Sequence, residues 1–103
     1  MRMIYRLSVP PAVPDVKEIR VLEWHGGPGT AFAAGDLIVE LETHKAVVEV
    51  RAGQPGILRQ INAGPGEWRG IRFSLALFSD TADEAIPDGE SISDTFGVEF
   101  EIS

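Results

Sequence analysis

The feature that most constrains this chain is an internal repeat. Gly27-Pro28-Gly29 recurs as Gly64-Pro65-Gly66 at an offset of 37 residues. In the same register Val21 falls on Leu58, Trp24 on Ile61, Ile38 on Leu75 and Leu41 on Phe78, so apolar positions coincide where identities differ. Two copies are too few for a solenoid, and a chain of 103 residues has room for one small domain. The repeat therefore predicts two similar halves that complete one core.

Each half reads as β-structure. Residues 37–42 (Leu-Ile-Val-Glu-Leu-Glu) and 46–51 (Ala-Val-Val-Glu-Val-Arg) are strand-length, rich in β-branched side chains and bounded by glycine-containing turns. They predict a hairpin. Leu37, Val39 and Leu41 share one face by the two-residue period, and Glu40 and Glu42 take the opposite, solvated face. Residues 57–61 and 73–78 repeat the pattern, and Pro10, Pro11, Pro14, Pro28, Pro55 and Pro65 fall between the runs. No dozen residues carry helical apolar spacing free of Gly or Pro. The prediction is an all-β domain of short strands, a barrel or sandwich. Trp24 and Trp68 are assigned to packing.

Charge divides the chain in two. Residues 1–79 hold all nine Lys and Arg against eight acids, whereas residues 80–103 hold the other eight acids and no base. The net charge of −7 thus resides in the tail. Residues 1–79 are assigned to the domain and 80–103 to an acidic extension. Within the extension, residues 96–102 alternate, with Val98, Phe100 and Ile102 opposite Glu99 and Glu101, and predict a terminal strand. That strand either covers a sheet edge of its own domain, the arrangement favoured here, or pairs with a second copy, so the chain is a monomer or a homodimer through it.

Several function classes find no support. No basic stripe interleaves with aromatics, so nucleic acid is not an expected partner. No apolar run approaches the ~20 residues of a membrane span, and the start lacks a signal-peptide core, which predicts a cytoplasmic protein without membrane contact. With zero cysteines, disulfides and thiolate ligands are absent. His25 and His44 have neither HxH nor HExxH spacing, so no metal site is predicted. The glycines after His25 lack the Lys-Ser/Thr of a phosphate loop, no Gly-x-Ser-x-Gly elbow occurs, and no catalytic constellation appears. Asp36, Glu40 and Glu42 read as a solvated strand face.

Between the first two strands lies Thr43-His44-Lys45. Residues 35–50 around it resemble the lipoyl-attachment segment of the acyltransferase components of 2-oxo acid dehydrogenases, where a strand ending Glu-Thr/Ser-Asp-Lys-Ala presents a lysine for acylation by lipoic acid. The resemblance runs over residues 7–79. It includes Val9-Pro10 fourteen residues before Trp24, Ala34-Gly35-Asp36 before the hairpin, Gly56 eleven residues after Lys45, then Gly66-Glu67 and residues 75–78 (Leu-Ala-Leu-Phe). It implies a flattened β-barrel, or barrel-sandwich hybrid, of two pseudo-symmetric four-stranded sheets. Lys45 would be the attachment residue and Glu42, Thr43, His44 and Ala46 the turn that a modifying enzyme reads. Three positions depart from the family pattern: His44 stands where Asp is common, Arg69 at an apolar position and Arg72 at a turn glycine.

By this resemblance the chain is a carrier rather than an enzyme. Lipoic acid on Lys45 would shuttle acyl groups or electrons between partner enzymes. Those partners are a lipoate ligase or lipoyl transferase, then 2-oxo acid decarboxylase, acyltransferase and dihydrolipoamide dehydrogenase components. Related biotin carriers flank their lysine with Met on both sides, whereas His44 and Ala46 flank Lys45, so biotin is the runner-up cofactor. An unmodified lipoyl-like interaction module is the other alternative. Because no Ala/Pro-rich linker follows, a freestanding carrier is expected.

Overall fold

The computed structural model describes residues 4–9, 15–83, 85 and 94–102. Nine strands are present among them: β1 (Ile4–Ser8), β2 (Glu18–Trp24), β3 (Ala31–Phe32), β4 (Leu37–Glu42), β5 (Val47–Ala52), β6 (Gly56–Ile61), β7 (Trp68–Gly70), β8 (Ser74–Ser79) and β9 (Val98–Ile102). All pair antiparallel, in one sheet of order β1-β8-β6-β3 and another of order β7-β2-β4-β5-β9. The sheets share one core and do not close into a barrel. Pro10, Pro11, Pro14 and most of the stretch 80–95, including Pro87-Asp88-Gly89, lie outside the described residues.

The repeat is built into the backbone. Shifting β2, β3 and β4 by 37 residues lands them on β6, β7 and β8. Exchanging the halves in this way, with β1 exchanged for β5, turns the order β1-β8-β6-β3 into β5-β4-β2-β7, the second sheet without β9. The glycine turns lock the halves reciprocally. Gly29 N–H donates to Leu58 O at 2.7 Å and Gly66 N–H to Val21 O at 2.8 Å, while Leu58 N–H returns to Thr30 O at 2.9 Å and Val21 N–H to Glu67 O at 3.0 Å. Gly29 and Gly66 both sit at positive φ, 98° and 87°, where a Cβ would clash with the backbone. Each turn also closes on itself, Thr30 N–H donating to Gly27 O at 3.0 Å and Glu67 N–H to Gly64 O at 3.2 Å, so the bonds between the halves add to turns that each half already makes.

The bulges obey the same symmetry, and they correct the simple alternation read from sequence. In β2 the register slips at Leu22, so Ile19 and Val21 face the core and then Trp24 does, its Nε1 donating to Ala63 O at 2.8 Å. In β4 the slip falls at Ile38. Ile38 and Val39 are consequently both buried, and Leu37, assigned to the buried face by period, is only half-buried. Equivalent slips occur at Arg59 and Leu75.

The tail completes the second sheet. Phe96, expected inside the last strand, precedes it and is fully buried. Its ring stacks on Phe78 at 4.2 Å and meets Tyr5 edge-on at 5.8 Å. It lies over Gly56, where a Cβ would come within 2.5 Å of its Cε1. Arg6 N–H donates to Asp94 O and Phe96 N–H to Arg6 O, tying the segment to β1. It then crosses to β5, where Val98 pairs with Ala52 and Ile102 with Val48. The strap therefore spans from the edge of one sheet to the edge of the other. Only Trp68 contradicts the packing assignment of the two indoles: it is 45% exposed, because β7 is an edge strand.

Candidate functional site

The β4–β5 hairpin carries the turn that holds Lys45. His44 and Lys45 form its exposed two-residue tip, flanked by Thr43, which is buried, and Ala46, which is half-buried. Two-residue hairpin loops are usually built from residues at positive φ, yet neither His44 nor Lys45 adopts it. Thr43 supplies the alternative. Its N–H donates to Ala46 O at 2.8 Å, and its Oγ1 accepts from Lys45 N–H at 3.0 Å and Ala46 N–H at 2.9 Å. The hydroxyl also donates to Ala46 O at 3.2 Å. One side chain thus satisfies the backbone of the tip and holds the Lys45 Cα at a fixed place above two paired strands.

Glu42 is fixed from the side. Its carboxylate pairs with the Arg20 guanidinium across the β2–β4 ladder, in which Arg20 and Glu42 are register partners. Arg20 also lies over the Trp68 ring, 5.7 Å from its centroid, and is the register partner of Trp68 on the β7 side. The outer face below the tip is a row of Trp68, Arg20 and Glu42. Sequence reasoning missed Arg20 and the exposed indole, since only the strand register brings residues 20, 42 and 68 together. His44 opens onto a cleft of about 360 Å³ lined also by Asp15, Lys17, Glu18 and Trp68. The five residues predicted to form the turn, Glu42, Thr43, His44, Lys45 and Ala46, are brought together.

The departures have structural settings. Arg72 sits at φ 76°, at the position equivalent by the repeat to Gly35 at φ 94°. Its N–H donates to Val9 O at 3.1 Å as Gly35 N–H donates to Ala52 O at 2.7 Å, so the glycine turn is kept with a non-glycine residue. Arg69 donates to Glu67 Oε2 at 2.8 Å and lies over the Phe73 ring at 5.1 Å. The Glu67 carboxyl is held below the usual carboxylate range, first by the Gly64 N–H that it accepts and then by Arg69. Arg69 lies in the edge strand β7, next to the Trp68 of the row below the tip, and Arg72 lies in the turn between β7 and β8.

An exposed lysine on a turn held in this way offers an amine that can be joined to a carboxylic acid through an amide. Comparison with known proteins points the same way. The Biotin_lipoyl family model, described as "Biotin-requiring enzyme", matches residues 6–68. The chain is 31% identical over 78 residues to the mitochondrial pyruvate dehydrogenase complex protein X component of Chaetomium thermophilum, covering 74% of this chain and 17% of that protein. It is 35% identical over 65 residues to the dihydrolipoyllysine-residue succinyltransferase component of the 2-oxoglutarate dehydrogenase complex of Pseudomonas aeruginosa, covering 63% and 16%. With the Escherichia coli K12 protein of the same description it shares 42% identity over 52 residues, 50% of this chain and 13% of the other. The chain thus spans about a sixth of the length of such relatives. By sequence, it belongs to the biotin/lipoyl-attachment domain family.

Proposed function

We propose that Lys45 is the attachment point of a lipoyl group, and that the chain is a carrier presenting this arm to the partner enzymes of a 2-oxo acid dehydrogenase-type complex. The observation that carries this is the Lys45 turn: an exposed lysine at the tip of β4–β5, pinned by three Thr43 Oγ1 hydrogen bonds and flanked by the Arg20–Glu42 pair. The relatives whose descriptions name dihydrolipoyllysine favour lipoyl over biotin. So do His44 and Ala46 beside the lysine.

When bound, a lipoyl group would supply a disulfide that takes up an acyl group and two electrons, leaving one sulfur acylated, and that becomes a dithiol once the acyl group passes to an acceptor thiol. The protein's part is positional. Thr43 fixes where the arm leaves the domain, and the Lys45 stem gives it reach. Glu42, held by Arg20, sets a defined charge beside it, and His44 places an imidazole where the related carriers commonly have a carboxylate. Tethering raises the arm's effective concentration at successive active sites. The partners in this reading are a lipoate ligase or lipoyl transferase, and decarboxylase, acyltransferase and dihydrolipoamide dehydrogenase components. The setting is the cytoplasm.

Intact-mass and peptide mapping of the chain isolated from its host test this directly. A lipoyl increment on Lys45, lost in Lys45→Arg, is the expected result. A biotinyl increment, or an unmodified Lys45 that a lipoate ligase also leaves untouched in vitro, overturns it.

A further inference from the structure

On the outer face of the five-stranded sheet, Glu23, His25 and Glu40 bring one ligand atom each to within 4.8 Å of one another. We propose that these three side chains hold a divalent cation of the zinc class. The β2 bulge makes the arrangement. By skipping Leu22, it moves the register from Val21 opposite Leu41 to Glu23 opposite Glu40, and so turns Glu23 outward beside a second carboxylate. Like charges directly across a ladder repel. His25 Nε2 lies 2.7 Å from Glu40 Oε1, which leaves Glu23 with no ion pair among the described residues. The neighbouring arginines are engaged elsewhere, Arg20 with Glu42 and Arg51 with Glu49 and Glu101.

The ligand set selects the ion. One imidazole nitrogen and two carboxylate oxygens suit zinc and its late first-row neighbours, whereas magnesium and calcium prefer oxygen alone. Bonds of ~2.0–2.2 Å place tetrahedral ligand atoms roughly 3.4 Å apart, so His25 and Glu40 separate slightly and Glu23 closes in, by side-chain rotation only. The backbones are fixed, since β2 and β4 are inner strands. Water completes the shell, because all three side chains reach solvent.

The other half of the molecule shows that the fold does not require this cluster. The repeat places Gln60, Asn62 and Leu77 at the positions equivalent to Glu23, His25 and Glu40. There, the neutral Gln60 Nε2 donates to Asn62 Oδ1 at 2.7 Å on the same bulged scaffold. Two carboxylates and an imidazole replace that neutral pair in one half only. A cation on them would clamp β2 to β4, the strand that runs into the Lys45 turn.

The test is calorimetric titration of the chelator-treated full chain with zinc chloride, and with magnesium chloride for comparison. A Lys45→Arg background excludes any dithiol, so the outcome does not depend on what Lys45 carries. One equivalent of zinc with no magnesium uptake is expected. His25→Ala and Glu23→Gln should each weaken zinc binding at least tenfold with unchanged amide NMR spectra elsewhere, while His44→Ala binds as the parent does. Absence of stoichiometric zinc uptake overturns the proposal. So does equal uptake of magnesium, or parent-like binding by both His25→Ala and Glu23→Gln.

Discussion

Replacing Thr43 with Val tests whether one hydroxyl holds the Lys45 turn. Valine keeps the branched shape that is 5% exposed here and removes only Oγ1. Two backbone donors, Lys45 N–H and Ala46 N–H, lose their partner, while the Thr43 N–H to Ala46 O bond remains. The donated bond to Ala46 O matters less, because that oxygen already accepts from the residue 43 amide. At a net ~0.5–1.5 kcal/mol for each hydrogen bond, two amount to about 2 kcal/mol. Water reaches the tip through exposed His44 and Lys45 and recovers part of this. The expected loss is therefore ~1–2 kcal/mol, which lowers the urea midpoint by roughly 1 M at a small-domain slope and the melting temperature by roughly 5–12 °C. The initial rate of Lys45 acylation by a lipoate ligase should fall with it, at temperatures where the variant is folded. Thr43→Ser, which keeps the oxygen, should restore both. A Val variant as stable as the parent, or a Ser variant as damaged as Val, would refute the role given to the hydroxyl.

Three other outcomes follow from the same geometry. Arg72→Gly should raise stability by ~0.5–1 kcal/mol in urea unfolding, since a left-handed non-glycine residue costs ~1–2 kcal/mol and the added glycine entropy offsets ~0.5–1 kcal/mol; destabilisation would mean that the Arg72 side chain has an unrecognised contact. Phe96→Ala removes a fully buried ring, a change worth ~3–5 kcal/mol in a core, and should release the strap. Amide exchange in β9 should then accelerate at least ~100-fold, with Gly56→Ala, which drives a methyl into the same ring, doing likewise. Unchanged β9 protection in both would contradict the anchoring. Glu67 should titrate by NMR below the usual carboxylate range, and Arg69→Ala should raise its midpoint only in part, because the Gly64 N–H is the larger cause. A lowered folded-state pKa favours the fold above the unfolded value and is lost as pH falls through the folded one, so this contribution disappears only in acid.

The fold was legible where a physical signal repeats in the sequence. The 37-residue offset foretold two similar halves, and its recurring glycines at 29 and 66 mark turns because a positive φ admits few residues and such a requirement leaves a mark twice in a duplicated chain. The β4 strand was legible to the residue because its apolar run has sharp polar ends. Bulges leave no such mark. Nothing in the residues around Leu22 or Ile38 distinguishes them from a continuous ladder, so the period-two reading placed Leu37 inside and could not see Glu23 beside Glu40. The same blindness bears on the site. Lys45 and Thr43 are neighbours in sequence and were found there, whereas the Arg20 that fixes Glu42 lies 22 residues away and is joined to it by register alone. Local chemistry is therefore readable at the hairpin tip, and what surrounds it, a guanidinium, an indole and the tail strand β9 on the outer edge of β5, is a property of pairing. The strap makes the point most sharply. Its alternation predicted a strand, but what anchors it is Phe96, a residue before the strand begins, on a ring-sized space that Gly56 leaves open from the opposite sheet. A glycine that matched the family pattern for no evident reason in sequence is, in three dimensions, the seat of the tail.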